Sequence, residues 1–412
     1  MAKQQYYDDL ETASPEAREE RLMGALRGQL SNARRNSLHF SHLLAGFDLE
    51  AVRDRADLAR LPVTRKSDMI DRQRQDPPFA SMLAVPPGAL ARIFQSPGPI
   101  YDPEGRRADY WRFARAMYAA GFRKGDIVHN SFSYHLTPAG SMMETAAHAL
   151  GCAVFPAGVG NTELQARAIA DLQPAGYTGT PSFLKVLLDK TREMGIPSSI
   201  FKAFVTGEAL PPSLRAAIAD LNCTVYQCYG TADLGCVAYE TSALEGMVVD
   251  ERTIVEIVRP GTGDPVAEGE VGEVVVTVLT PEYPLIRFAT GDLSAILPGI
   301  SPCGRTNMRI KGWMGRADQT TKVKGMFVHP QQIADVVRRY PEIARARLVV
   351  ERERDLDVMT LHCEVASPAE GLAAALAETM QAVLKLKGGV QMVAPGSLAN
   401  DGKVIDDQRP AT

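Results

Sequence analysis

Long apolar runs are missing from this sequence: none approaches the ~18 residues that a helix needs to cross a bilayer. The opening Met-Ala-Lys-Gln-Gln-Tyr-Tyr-Asp-Asp also lacks the basic and then apolar segments of a secretory leader, so the expectation is a cytoplasmic protein with no membrane partner. Cysteine is scarce, with 6 in 412 residues and no Cys-x-x-Cys pair. In a reducing compartment these read as small buried hydrophobes. Cys228, Cys236 and Cys303 lie near one another's motifs, but a zinc site built from them wants a fourth ligand. Positive charge is not in excess: 45 Lys and Arg face 49 Asp and Glu, for a formal net charge of -4, and no basic stripe stands out. That balance argues against a nucleic-acid partner. Finally, no Gly-x-Gly-x-x-Gly occurs at a strand-to-helix junction and no Walker lysine motif occurs at all, which argues against the dinucleotide-binding and P-loop classes.

What is present reads as a multidomain globular protein. At 412 residues, 45% hydrophobic and 23% charged, the chain can bury a large core in two or three domains. Leu22, Leu26 and Leu30 stand at helical spacing in a segment of amphipathic helices. From about 108 to 290 helical and strand patterns alternate: helix 110–120, strand 126–131, helix 140–150, strand 153–155, helix 162–172. Such alternation predicts an α/β domain with parallel sheets covered by helices. After about 245 the text turns β-rich, in 247–249, 253–258 and 272–278, and predicts hairpins that close this domain on one side. The last stretch holds strands near 348–350 and 361–365 and an Ala-rich helix over 372–386, a small α+β lid. The expected division is a large N-terminal domain, 1–317, and a small mobile C-terminal domain, 318–412.

Two segments carry chemistry. In Glu-Tyr-Pro-Leu-Ile-Arg-Phe-Ala-Thr-Gly-Asp, ending at Asp292, an apolar strand delivers a carboxylate whose two oxygens suit two vicinal hydroxyls. Read alone, Asp292 is equally a turn or capping residue after Thr290-Gly291. In Tyr226-Gln-Cys-Tyr-Gly-Thr-Ala-Asp233, an aromatic face suits a purine, glycine admits close backbone approach, and Thr231 with Asp233 suits a phosphate and its magnesium ion. Read alone, this is also an ordinary turn with Thr231 or Asp233 as a helix cap.

Seven segments in order resemble the phenylacetate-CoA ligases of the adenylate-forming acyl-CoA synthetase superfamily. They are Leu-Pro-Val-Thr-Arg-Lys-Ser-Asp (61–68), Gly-Asn-Thr-Glu-Leu-Gln (160–165), Gly-Thr-Pro-Ser-Phe (179–183), Tyr-Gly-Thr-Ala-Asp (229–233), Tyr-Pro-Leu-Ile-Arg-Phe-Ala-Thr-Gly-Asp (283–292), Cys-Gly-Arg-Thr (303–306) and Gly-Arg-Ala-Asp (315–318). The resemblance implies an acid-CoA ligase that uses ATP, Mg2+ and CoA, acts on a small and preferably aromatic carboxylic acid, and passes through an acyl-adenylate. It implies that Tyr229 stacks on adenine beside Gly207, Glu208 and Gly230, that Thr231 touches the α-phosphate, and that Asp233 binds the metal. It further implies that Asp292 holds the ribose, that Arg305 and Arg316 lie near the nucleotide or hinge, that Asp318 is the hinge, and that Lys403 reaches the adenylation site. The acyl pocket is expected from Tyr134, His135 and Pro138. A twofold homodimer is expected only as the commonest assembly.

The resemblance also exposes departures. Where the family has a Ser- and Gly-rich phosphate loop, this chain has Phe94-Gln-Ser-Pro-Gly-Pro-Ile-Tyr101, a degenerate version in which Ser96 and Gly98 keep the family chemistry and two prolines remove N-H donors. Asp233 stands where a Glu is expected, shorter by one methylene, about 1.5 Å, a gap that a water can bridge. In the lid, Lys322-Val-Lys-Gly-Met-Phe replaces a more apolar run, with Lys324 a candidate CoA contact. The alternatives left open are a ligase-fold protein that binds nucleotide or acyl-CoA with little turnover, and an adenylating enzyme with another acceptor.

Overall fold

The computed structural model describes residues 5–317, 319–323, 326–353 and 356–409; Asp318 and Lys324 lie outside them. The described chain divides into two compact units. The larger comprises residues up to Val255 with Val276–Phe288 and Leu297–Gly312, and the smaller comprises Glu256–Val275, Ala289–Ile296 and the chain from Trp313 onward. The smaller unit thus takes in two segments that precede the expected boundary at 317/318. Among the described residues no helix is long and apolar enough to cross a membrane.

The larger unit is built on the expected parallel sheet. Strands Ala153–Pro156, Ile127–Asn130, Gly176–Gly179, Lys202–Val205 and Thr224–Thr231 lie side by side in that order and run parallel. Gly235–Tyr239, Met247–Val249 and Arg309–Ile310 continue the sheet antiparallel. Helices Ala139–Ala149, Thr162–Leu172, Pro181–Glu193 and Pro212–Ala219 connect the parallel strands. Alternation along one strand shows that both faces are covered: Phe204 enters a core with Phe113, Val128 and Met143, whereas Ala203 and Val205 enter another with Ile169, Leu184 and Leu187. Leu22, Leu26 and Leu30 are all buried along helix Pro15–Asn36, as their spacing predicts.

One helix is shorter than its pattern. The expected 110–120 helix begins only at Ala114, because Asp109 and Arg112 adopt positive φ of 48° and 65°, and the Asp109 carboxylate takes the Ala114 N-H. Tyr110 and Trp111 are thereby turned into the core from a loop.

The N-terminal segment is pinned by charge. Glu11 is buried beneath the sheet, where it accepts from Arg305 Nε at 2.6 Å and from the Tyr239 hydroxyl at 3.3 Å. Arg115 bridges Asp8 and the buried Asp250.

The β-rich text forms a four-stranded sheet ordered Thr64–Arg65, Phe288–Ser294, Gly272–Val278, Thr253–Val258, and the division into units cuts its longer strands. Within the smaller unit, a second four-stranded sheet pairs Arg345–Glu353 antiparallel with Leu356–Glu364, flanked in parallel by Ile405–Asp407 and Gly389–Val393. Helices Pro330–Val337 and Leu372–Leu384 bury Ile333, Val336, Leu376 and Met380 against Leu348, Val350 and Leu361, forming the expected α+β body.

Candidate active site

In the larger unit the expected residues gather at the carboxyl ends of the parallel strands, the end of an open α/β sheet that ligands favour. Tyr229 lies at 7% exposure near the end of Thr224–Thr231. A register shift between Tyr229 and Gly230 breaks the regular pairing there, and a Cβ on Gly230 would meet the Gly235 carbonyl oxygen at 2.6 Å, so only glycine fits. The Thr231 hydroxyl accepts the Leu234 N-H at 3.1 Å and closes the turn that carries Asp233. After Lys202–Val205 the chain turns through Gly207, at φ of 84°, to Glu208, whose carboxylate accepts from Ser182 at 2.6 Å. After Ile127–Asn130, the Asn130 amide donates to the Tyr134 hydroxyl at 2.8 Å, and burial pushes that phenol's pKa up. His135 is exposed, and Pro138 is buried at the start of helix Ala139–Ala149. Tyr134, but not His135, is therefore held in place by the strand.

The segment expected as the phosphate loop is a tight hairpin. Arg92–Ser96 pairs antiparallel with Ile100–Glu104, with Ser96 opposite Ile100 and Pro97-Gly98-Pro99 between them. Ser96 is buried and donates its hydroxyl to the Ile100 carbonyl at 3.3 Å. Gly98, at φ of 138°, supplies the turn. Beside this hairpin lies a group that sequence reasoning passed over. Asp233 is ion-paired with Lys66, and Asp102, on the hairpin's second strand, shares their field. Burial, and then the neighbouring Asp233 carboxylate, push the Asp102 pKa well above the ordinary carboxylate range. Lys66 lies inside a quoted family segment; its role was not legible because its partners are 36 and 167 positions away in the chain.

In the smaller unit, Asp292 lies within strand Phe288–Ser294 and not at its end as expected, since Leu293 and Ser294 continue the strand, and its Oδ1 is gripped by two donors. The Trp313 indole N-H reaches Oδ1 at 3.1 Å and Arg316 Nη1 reaches the same atom at 2.8 Å. Gly291 is needed there, since a Cβ would meet the Arg316 guanidinium at 2.8 Å and its φ is 75°. The second donor, Trp313, was not expected; it is 55% exposed with its N-H turned inward. Lys403 lies on a cavity of about 130 Å³ that Arg259, Arg338, Arg345, Asp264 and Glu270 also line, and its Nζ is paired with Asp406 at 2.6 Å.

Arg305, implied to lie near the nucleotide or hinge, has its guanidinium buried against Glu11 and Cys303. There it anchors the N-terminal segment. The six cysteines are free thiols, and among the described residues no three His, Cys, Asp or Glu side chains group to hold a metal.

Comparison with known proteins places this arrangement. The family model for AMP-binding enzymes matches residues 109–278, and the model for the AMP-binding enzyme C-terminal domain matches 325–409. Phenylacetate-coenzyme A ligase from Thermus thermophilus is 32% identical over 341 residues, 79% of this chain and 76% of the relative. The chain belongs to the phenylacetate-CoA ligase family. The Pseudomonas putida ligase of the same name is 30% identical over 89% of this chain and 86% of its own. Among solved structures, an open conformation of 2-hydroxyisobutyryl-CoA ligase in complex with 2-HIB-AMP and CoA superposes with a TM-score of 0.73 at 26% identity, covering 97% of this chain and 93% of that one. The α/β fold of this phenylacetate-CoA ligase relative, with its small C-terminal domain, is therefore that of an acid-CoA ligase.

Proposed function

We propose that the chain is an AMP-forming acid-CoA ligase acting on an aryl or arylacetic acid. The observation that carries this reading is its kinship, along most of its length, with phenylacetate-coenzyme A ligases. In the first half-reaction a carboxylate oxygen of the acid attacks the α-phosphorus of ATP and pyrophosphate leaves. In the second, the CoA thiolate attacks the acyl carbon and AMP leaves. Tyr229, Gly207, Glu208 and Gly230 would receive the adenine, Asp292 the ribose, and Thr231 the α-phosphate. Lys403 would neutralise charge that develops between carboxylate and phosphate, an electrostatic contribution that is large in a dry site. A magnesium ion, when bound at Asp233, would supply charge neutralisation to the phosphate oxygens. Arg316 orients Asp292 instead of contacting the ribose, and Tyr134 would offer an aromatic edge to the acyl group. Asp318 would serve as the hinge between half-reactions, so Asp318→Pro should spare one half-reaction and abolish turnover. A cytoplasmic location and a twofold homodimer belong to the same reading.

The test is pyrophosphate release with ATP, magnesium and a panel of aryl, arylacetic and short aliphatic acids, with and without CoA. Release that depends on an aromatic acid is the expected result. Release only with aliphatic acids would move the substrate class, and no release with any acid would overturn the reading in favour of a binder without turnover.

A further inference from the structure

The cavity beside Lys403 mixes charge with apolar surface, and apart from that lysine none of its residues enters the ligase reading. It measures about 130 Å³ and lies where the turn after strand Thr253–Val258 meets helix Pro330–Val337 and the segment that carries Lys403, all within the smaller unit. Four cations line it, Arg259, Arg338, Arg345 and Lys403, against two acids, Asp264 and Glu270. Val266, Val337 and Val404, each partly buried, give it an apolar wall.

The arginines there are loosely compensated. Among the described residues no ion pair or side-chain hydrogen bond engages the exposed Arg259. Arg345 faces Glu270 at 3.9 Å and Arg338 faces Asp335 at 3.7 Å, both beyond hydrogen-bond range. The Leu398 and Ala399 carbonyls hold the Arg345 guanidinium at 3.2 and 3.0 Å, so its fork is already aimed. Of the four cations, Lys403 alone is closely paired, with Asp406 at 2.6 Å. Size and lining narrow the ligand. Pockets for drug-sized molecules run to about 300 Å³ or more, so neither ATP nor CoA fits whole, whereas a cavity of about 150 Å³ takes a benzene ring. A bare inorganic anion would leave the valine wall uncovered, and a neutral hydrocarbon would leave the guanidinium groups unmet.

We infer that this cavity binds a small carboxylic acid with a ring-sized apolar body, its carboxylate on the arginines and its body against Val266, Val337 and Val404. None of Tyr134, His135 and Pro138, the residues expected to receive the acyl group, takes part, so this is a second site for the acid. The bound carboxylate gives Lys403 a counter-ion in addition to Asp406 and keeps its ammonium group in the cavity. Excess acid therefore inhibits adenylation. That last consequence rests on the ligase reading; binding of the acid does not.

The experiment is equilibrium dialysis of the purified, nucleotide-free chain against radiolabelled benzoate, with Val337→Trp to fill the cavity and Arg259→Ala to remove one cation. Benzoate held in the acyl pocket is common to all three proteins, so the difference between them is the readout. Val337→Trp is expected to bind one equivalent fewer than the wild type, and Arg259→Ala to hold that equivalent about tenfold more weakly. Melting curves check that each variant folds, and benzoate should raise the melting temperature of the wild type more than that of Val337→Trp. No binding by the wild type, or equal stoichiometry and affinity in all three proteins, would overturn the proposal. With an aromatic acid that supports pyrophosphate release, excess acid should slow the wild type, whereas Arg259→Ala should match it at low acid and escape the slowing; equal slowing of both would overturn the inhibitory role. Absence of pyrophosphate release with every acid would overturn the ligase reading and leave the dialysis result standing.

Discussion

Asp292 and Asp102 are both carboxylates carried into protected positions by β-strands, yet they are treated in opposite ways. Asp292 is held on one oxygen by two donors, Trp313 and Arg316, within its own unit. Asp102 is 1% exposed, with Ser96 beside it as a weak donor. A third carboxylate, Asp109, falls between them, with one donor, the Ala114 N-H at 3.0 Å. The series separates a carboxylate held by charge-assisted donors from ones that burial drives toward the neutral acid. Donors to a carboxylate oxygen favour its ionised form, whereas burial without them favours the protonated one.

The largest expected effect tests whether the smaller unit contributes charge to the reaction as well as aim. Lys403→Ala should slow adenylate formation by about 10²- to 10³-fold, while transfer of a preformed adenylate to CoA is slowed far less. Single-turnover measurement of the two half-reactions checks this, and equal slowing of both would remove Lys403 from adenylation.

Asp292→Ala should raise the KM for ATP by about 10- to 100-fold, the loss of charge-assisted hydrogen bonds, with a smaller change in kcat. An unchanged KM would break the comparison, because Asp292 would then be oriented for nothing.

Asp109 calibrates what one donor is worth. Burial raises its pKa to about 6 from 3.8, so between those values the folded protein binds a proton that the unfolded chain has released. Stability is therefore lost as pH rises from about 4 to about 6, by up to about 3 kcal/mol before solvent screening. The residue keeps some solvent contact, which reduces the effect. Asp109→Asn, which retains an acceptor for the Ala114 N-H, should gain on the wild type across that window in urea unfolding at fixed pH values. A constant difference at pH 4 and pH 7 would refute the sign.

The smallest effect is that of Trp313→Phe, which removes one of two donors to Asp292 and should raise the KM for ATP about fivefold, equivalent to about 1 kcal/mol. Arg316→Ala in the same background should then cost more than in the wild type, since the two donors share one oxygen.

Much of this protein was determined by local sequence. The 3.6-residue spacing of Leu22, Leu26 and Leu30, the alternation of helix and apolar strand from 127 to 231, and the valine-rich strands after 247 prescribe their own elements, because each needs only its own residues to choose a buried face. The placing of Tyr229 and Thr231 near a strand end, and of Asp292 on a strand, was legible for the same reason. What tertiary structure decided are the pairings across long chain separations. Glu11 claims Arg305 from 294 positions away, and Lys66 meets Asp233 across 167. The Asp102 environment is likewise assembled from three separate elements. No local pattern encodes such meetings, since the energy of a buried charge depends on which partners the fold brings beside it and how much water it leaves there.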